Sequence, residues 1–118
     1  MKYFIVDDSE GMRTMIRAMI ADDNDDVFEF EDAETIIESY GRHKPDWVLM
    51  DIQLRGVNGI AAVEQLKERF PEAHVIIVTQ FDDKIYRRRA NEVHADGYVL
   101  KDDLGGIEEA IKRASDKL

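Results

Sequence analysis

Short apolar runs alternate with longer segments whose apolar residues recur every three or four positions, and this alternation repeats five times along the chain. Lys2-Tyr3-Phe4-Ile5-Val6 opens it as a run with strand character. Met12, Met15, Ile16, Met19 and Ile20 then recur at helical spacing, with Asp8 or Ser9 placed to cap that helix and Glu10 in its first turn. Val27-Phe28-Glu29-Phe30 alternates and predicts a strand near a sheet edge. Asp32 is expected to cap a second helix with Ala33, Ile36, Ile37 and Tyr40 on one face, stopped by Gly41 and Pro45.

Trp47-Val48-Leu49-Met50 is apolar throughout, as a strand covered on both faces must be. Ile60, Val63, Leu66 and Phe70 mark a third helix, ended by Pro71. Val75-Ile76-Ile77-Val78 is the most β-branched run and predicts a central strand ending in Thr79. The helix after it is weakly amphipathic, with Ile85, Ala90 and Val93 expected inward and Arg87-Arg88-Arg89 across it. Gly97-Tyr98-Val99-Leu100 predicts a fifth strand ended by Lys101, and Leu104, Ile107, Ile111, Ala114 and Leu118 a last helix. Strands alternating with helices imply an α/β fold, a parallel sheet with helices on both faces.

A length of 118 residues fits one domain spanning residues 1–118. A formal net charge of -10 argues against direct nucleic-acid binding, which calls for a basic face. Without cysteine there is neither a disulfide framework nor a thiolate metal site. No run approaches the roughly 18 apolar residues of a membrane span. No basic-then-apolar leader opens the chain, so a cytoplasmic location is expected.

The polar residues that end the strands carry the chemistry: Asp7-Asp8, Asp51, Thr79 and Lys101. In a parallel sheet these ends share one edge, where ligand sites form at the point of strand-order reversal. Carboxylates held close repel one another, and a hard cation such as Mg²⁺ relieves that repulsion. A carboxylate beside such an ion can attack a phosphoryl group and form an aspartyl phosphate. Lys101 would neutralise charge on the transferring group, and Thr79 could donate to a phosphoryl oxygen.

Val6-Asp7-Asp8-Ser9, Asp51-Ile52-Gln53-Leu54 leading to Gly59, Val78-Thr79, and Asp96-Gly97-Tyr98-Val99-Leu100-Lys101-Asp102 together resemble the receiver domain of two-component response regulators. The resemblance covers essentially the whole chain, and Asp102 after the lysine is similar to the NarL/FixJ subfamily. It implies a flavodoxin-like (βα)5 doubly wound sheet of strand order 2-1-3-4-5. It implies that Asp51 accepts a phosphoryl group from a histidine kinase or phosphotransfer protein. Asp8, Asp51 and the backbone carbonyl of Gln53 would ligate Mg²⁺, with Asp7 acting through a bound water. Thr79 and Lys101 would contact the phosphoryl oxygens, and Tyr98 would be a switch aromatic read out on the face of helix 4, strand 5 and helix 5. The implied partners are the phosphoryl donor, a downstream effector or an output domain outside this chain, and a second copy in a homodimer.

Departures from the family pattern are Arg55 in place of proline, Gln80 in place of a small residue, and His94 where glycine usually supplies a positive φ. The first two bear on the lifetime of the phosphoryl group. The Gly105-Gly106 pair weakens the start of the last helix. A haloacid-dehalogenase-like phosphohydrolase is disfavoured because Gln53 stands where a second acid is needed. An FMN binder is disfavoured because Asp7-Asp8-Ser9-Glu10 would repel phosphate. A degenerate receiver that works without phosphorylation is disfavoured by the intact acid set. Trp47, in the strand that leads to Asp51, is a natural fluorescence reporter for a Mg²⁺ titration.

Overall fold

The computed structural model describes residues 1–118. The elements are β1 (Lys2–Val6), α1 (Glu10–Ile20), β2 (Asp26–Phe30), α2 (Ile36–His43), β3 (Trp47–Met50), α3 (Gly59–Arg69), β4 (Val75–Thr79), α4 (Lys84–Glu92), β5 (Gly97–Leu100) and α5 (Gly106–Asp116). All strand pairs are parallel and the order is β2-β1-β3-β4-β5, a flavodoxin-like sheet with β2 at one edge.

Alternation along each strand divides the apolar residues between two cores. Phe4, Val6, Val48, Met50, Val75 and Ile77 face α2, α3 and α4. Tyr3, Ile5, Trp47, Leu49, Ile76 and Val78 face α1 and α5. β1, β3 and β4 are buried on both faces from their second residue or earlier, which is why they read as unbroken apolar runs.

Several sequence expectations are corrected at the helices. In α1 only Ile16 is fully buried, with Met12 and Ile20 packed beside it. Met15 and Met19 are 56% and 43% exposed. At about 100° per residue they lie roughly 100° and 60° round the helix from Ile16, off the buried stripe. Ser9, not Asp8, caps this helix, accepting from the Met12 N–H. Asp32 caps no helix; its carboxylate accepts from Glu34 N–H in a local turn, and α2 begins four residues later. Gly41 lies inside α2, where the Phe70 ring packs 3.2 Å from where a Cβ would sit. The helix stops instead at Lys44, left-handed with φ 46°. Ile85 is exposed, since the inward face of α4 runs through Tyr86, Ala90 and Val93. Leu118 is exposed beyond the end of α5.

His94 does adopt φ 64°, the left-handed conformation expected at its position. Trp47 sits at the amino end of β3, its ring 5.2 Å from that of His74, which precedes β4. It therefore reports on the edge of the sheet opposite Asp51 and is a poor probe of a metal site there.

Candidate functional site

The carboxyl ends of β1, β3, β4 and β5 meet as the parallel order requires. Backbone bonds run past the strands and fix the site residues: Asp7 N–H donates to Phe30, Asp51 N–H to Val6 and Lys101 N–H to Thr79. Gly59 closes the loop after Asp51, its N–H donating to the Ile52 carbonyl at 2.6 Å. A Cβ on Gly59 would overlap the Asp51 carbonyl oxygen and stand 2.8 Å from its carbon. Only glycine lets α3 start this close to the end of β3.

Carboxylate oxygens of Asp7, Asp8 and Asp51 all lie within 4.8 Å of one another. Asp7 and Asp51 are buried and Asp8 is exposed. Lys101 reaches in from β5, its Nζ 2.8 Å from Asp7 Oδ2 and 3.0 Å from Asp51 Oδ2. The contact with Asp51 is a hydrogen bond. The contact with Asp7 is close enough for an ion pair but poorly aligned, so buried Asp7 Oδ2 makes no hydrogen bond. Asp7 Oδ1 accepts from Ser9 N–H at 2.9 Å.

Burial pushes the Asp51 carboxyl above its ordinary value, against the pull of Lys101 and with the help of the Asp7 charge. Burial also works against the Lys101 ammonium, but its close contacts with the Asp7 and Asp51 carboxylates outweigh this and raise it. Three carboxylates and one ammonium leave the group short of positive charge. Three carboxylate oxygens gathered within 4.8 Å, with one ammonium between them, are the oxygen-rich donor set a hard divalent ion takes, so the residues fit Mg²⁺.

A cleft of about 440 Å³ opens over Asp51, walled by Asp8, Gln53, Arg55, Gln80 and Lys101 among others. Two of the departures from the family pattern, Arg55 and Gln80, thus stand at the mouth of the site. Thr79 is fully buried and does not line the cleft; its Oγ1 accepts from Phe81 N–H at 3.2 Å. Tyr98 is half-buried on β5 and donates to the Phe81 carbonyl at 2.7 Å.

Arg13 was not singled out by the sequence. Its Nη1 donates to the Asp7 carbonyl at 2.6 Å and its Nε to Glu29 at 3.0 Å. Arg17 shares the same glutamate. The i, i+4 arginines were visible, but Glu29 becomes their partner only through the pairing of β2 with β1.

Residues 3–112 match the family model of the response regulator receiver domain. The chain belongs to this family. The receiver is 32% identical over 111 residues to the transcriptional regulatory protein DegU of Brevibacillus brevis, covering 92% of this chain and 47% of that protein. It is 34% identical over 97 residues to the chemotaxis protein CheY of Halobacterium salinarum, covering 82% and 81%. A LuxR-family two-component response regulator from Aurantimonas sp. SI85-9A1 superposes with TM-score 0.87 at 30% identity, over 95% of this chain and 82% of that one. The receiver spans about half the length of DegU and about four-fifths of CheY.

As a receiver of two-component systems it is a signalling switch rather than a conventional enzyme, and phosphorylation and Mg²⁺ are typical of the family. The phosphohydrolase and degenerate readings are not favoured. No helix is long and apolar enough to cross a membrane.

Proposed function

We propose that this receiver is a Mg²⁺-dependent phospho-switch whose acceptor is Asp51. The observation that carries the reading is the clustering of the Asp7, Asp8 and Asp51 carboxylates with Lys101 placed between Asp7 and Asp51. Asp8 and Asp51, with the Gln53 carbonyl, would hold the ion, and Asp7 would act through water. The ion supplies positive charge that the site's own residues lack.

An ionised Asp51 oxygen attacks the phosphorus of a phosphohistidine. The phosphorus–nitrogen bond breaks as the phosphorus–oxygen bond forms, and the imidazole leaves with the electron pair. Lys101, already at hydrogen-bond distance from Asp51, moves its charge to the arriving phosphoryl oxygens. Thr79 turns its hydroxyl from Phe81 toward the same group, and Tyr98 follows as the switch aromatic.

The phosphoryl donor in this reading is a histidine kinase or phosphotransfer protein, and the chain is cytoplasmic. Residues 1–118 act as one receiver unit whose α4–β5–α5 face meets an effector protein, a second copy or an output domain. The test is phosphotransfer from acetyl phosphate or a kinase, with and without Mg²⁺. Wild type takes label only with the ion. Asp51→Asn takes none, and label in that variant overturns the assignment.

A further inference from the structure

The hydrogen-bond path leading out of the site ends on an arginine to which the phospho-switch assigns no task. Phe81 links Thr79 to Tyr98 through a single residue: its N–H donates to Thr79 Oγ1, and its carbonyl accepts from the Tyr98 hydroxyl. The Tyr98 ring packs on the larger core. Over the ring lies Arg87 of α4, its guanidinium carbon 4.5 Å from the ring centroid. Arg87 Nε also donates to Asp82 Oδ1 at 3.1 Å. Asp82 follows Phe81 in the β4–α4 loop. One side chain therefore ties that loop, α4 and β5 together.

We propose that Arg87 is a positioning residue for Tyr98: held by Asp82, it clamps the ring against the Phe81 carbonyl and so sets how firmly a change at Thr79 reaches the α4–β5 face. A planar, weakly hydrated guanidinium stacks well on an aromatic face. The tether to Asp82 fixes it there at little further entropic cost. Arg88 makes a useful contrast. It carries the same charge on the same helix but pairs with Glu92 at 3.7 Å, exposed on both sides. When Thr79 Oγ1 turns away from Phe81, that residue loses one of its anchors, and the Tyr98 acceptor is freed to move with it. Arg87 resists the movement, since leaving the ring breaks its stack.

The signalling consequence rests on Asp51 as acceptor, but the clamp exists in the unphosphorylated chain and is tested there. The measurement is NMR of protein labelled with ¹³C at tyrosine Cζ, with Tyr98 assigned from Tyr98→Phe. Burial holds the Tyr98 phenol above its ordinary value, Arg87 pulls it down, and Asp82, Asp83 and Tyr86 push it up. In Arg87→Ala the ring leaves its place against the core and the Phe81 carbonyl more often, the packed population falling about two- to fivefold relative to the exposed one. Its resonance moves toward that of an exposed tyrosine, and its titration falls toward the ordinary value of about 10. Arg87→Lys restores part of the shift, and Arg88→Ala leaves Tyr98 unchanged.

A Tyr98 that stays in place in Arg87→Ala would titrate higher, having lost only its cation, and that result overturns the clamp. Equal shifts in Arg87→Ala and Arg88→Ala overturn it too. Failure of Asp51 to take a phosphoryl group would sink the phospho-switch while leaving the Tyr98 measurement to stand or fall alone.

Discussion

The backbone carbonyl of Asp51 occupies the space where any side chain at Gly59 would have to go. Gly59→Ala must move either the start of α3 or the end of β3, and β3 is locked between β1 and β4. The expected cost is about 2–3 kcal/mol of stability, that of forcing a methyl into a filled site. Urea denaturation measures it. A change below about 0.5 kcal/mol, the range of ordinary surface substitutions, would mean that the loop yields freely.

Asp51→Asn should stabilise the metal-free protein at pH 7. The folded state raises the carboxyl, so ionising Asp51 costs more folded than unfolded. That penalty is present above the folded value and fades as pH falls through it toward the ordinary 3.8. The melting-temperature gain of Asp51→Asn is therefore largest near neutrality and shrinks in acid. Lys101 keeps a partner in the variant, because Asp7 Oδ2 stands 2.8 Å away. Added Mg²⁺ should raise the wild-type melting temperature and narrow the gap. A variant less stable than wild type at pH 7 without metal would contradict this balance.

Arg13→Ala should weaken Mg²⁺ binding by about tenfold, the low end of the effect of removing an outer partner of a metal site, since Arg13 positions Asp7, which acts on the ion through water. Arg13 touches no carboxylate of the acid cluster; it fixes the backbone carbonyl of Asp7 and anchors on Glu29. Calorimetric titration with Mg²⁺ checks it, and Glu29→Gln should show a smaller loss in the same direction. Unchanged affinity in both would remove Arg13 from the site.

The strand-end residues were legible in the sequence because each lies at the end of an apolar run or one or two positions beyond it, and the runs of β1, β3 and β4 are buried on both faces of the sheet. Asp51 after Met50 and Lys101 after Leu100 needed only the parallel order to be brought together. What was not legible depended on contacts between elements far apart in sequence. Arg13 finds Glu29 across the β1–β2 register, and Arg87 finds the Tyr98 ring across α4 and β5. The helix errors share another cause. Five apolar residues fit one stripe of α1 by spacing, yet with α1 and α5 side by side on that face of the sheet only the strip around Ile16 is covered. Asp32 suits a cap by residue type, but its turn precedes the helix.

His94→Gly should stabilise the protein by about 1 kcal/mol. His94 holds φ 64°, where a Cβ crowds the following carbonyl and glycine does not. Part of the gain is offset by the greater freedom of glycine in the unfolded chain. Chemical denaturation reads the difference, and a loss would mean that the histidine side chain contributes more than its backbone strain costs.

The central claim is that Asp51 accepts one phosphoryl group with Mg²⁺ held beside it. Intact-mass spectrometry after acetyl phosphate or kinase treatment tests it most directly. The wild type should gain the mass of one phosphoryl group in Mg²⁺ and none in EDTA, and Asp51→Asn should gain none in either. A phosphorylated Asp51→Asn, or a wild type that stays unmodified with Mg²⁺ and a competent donor, would contradict the account.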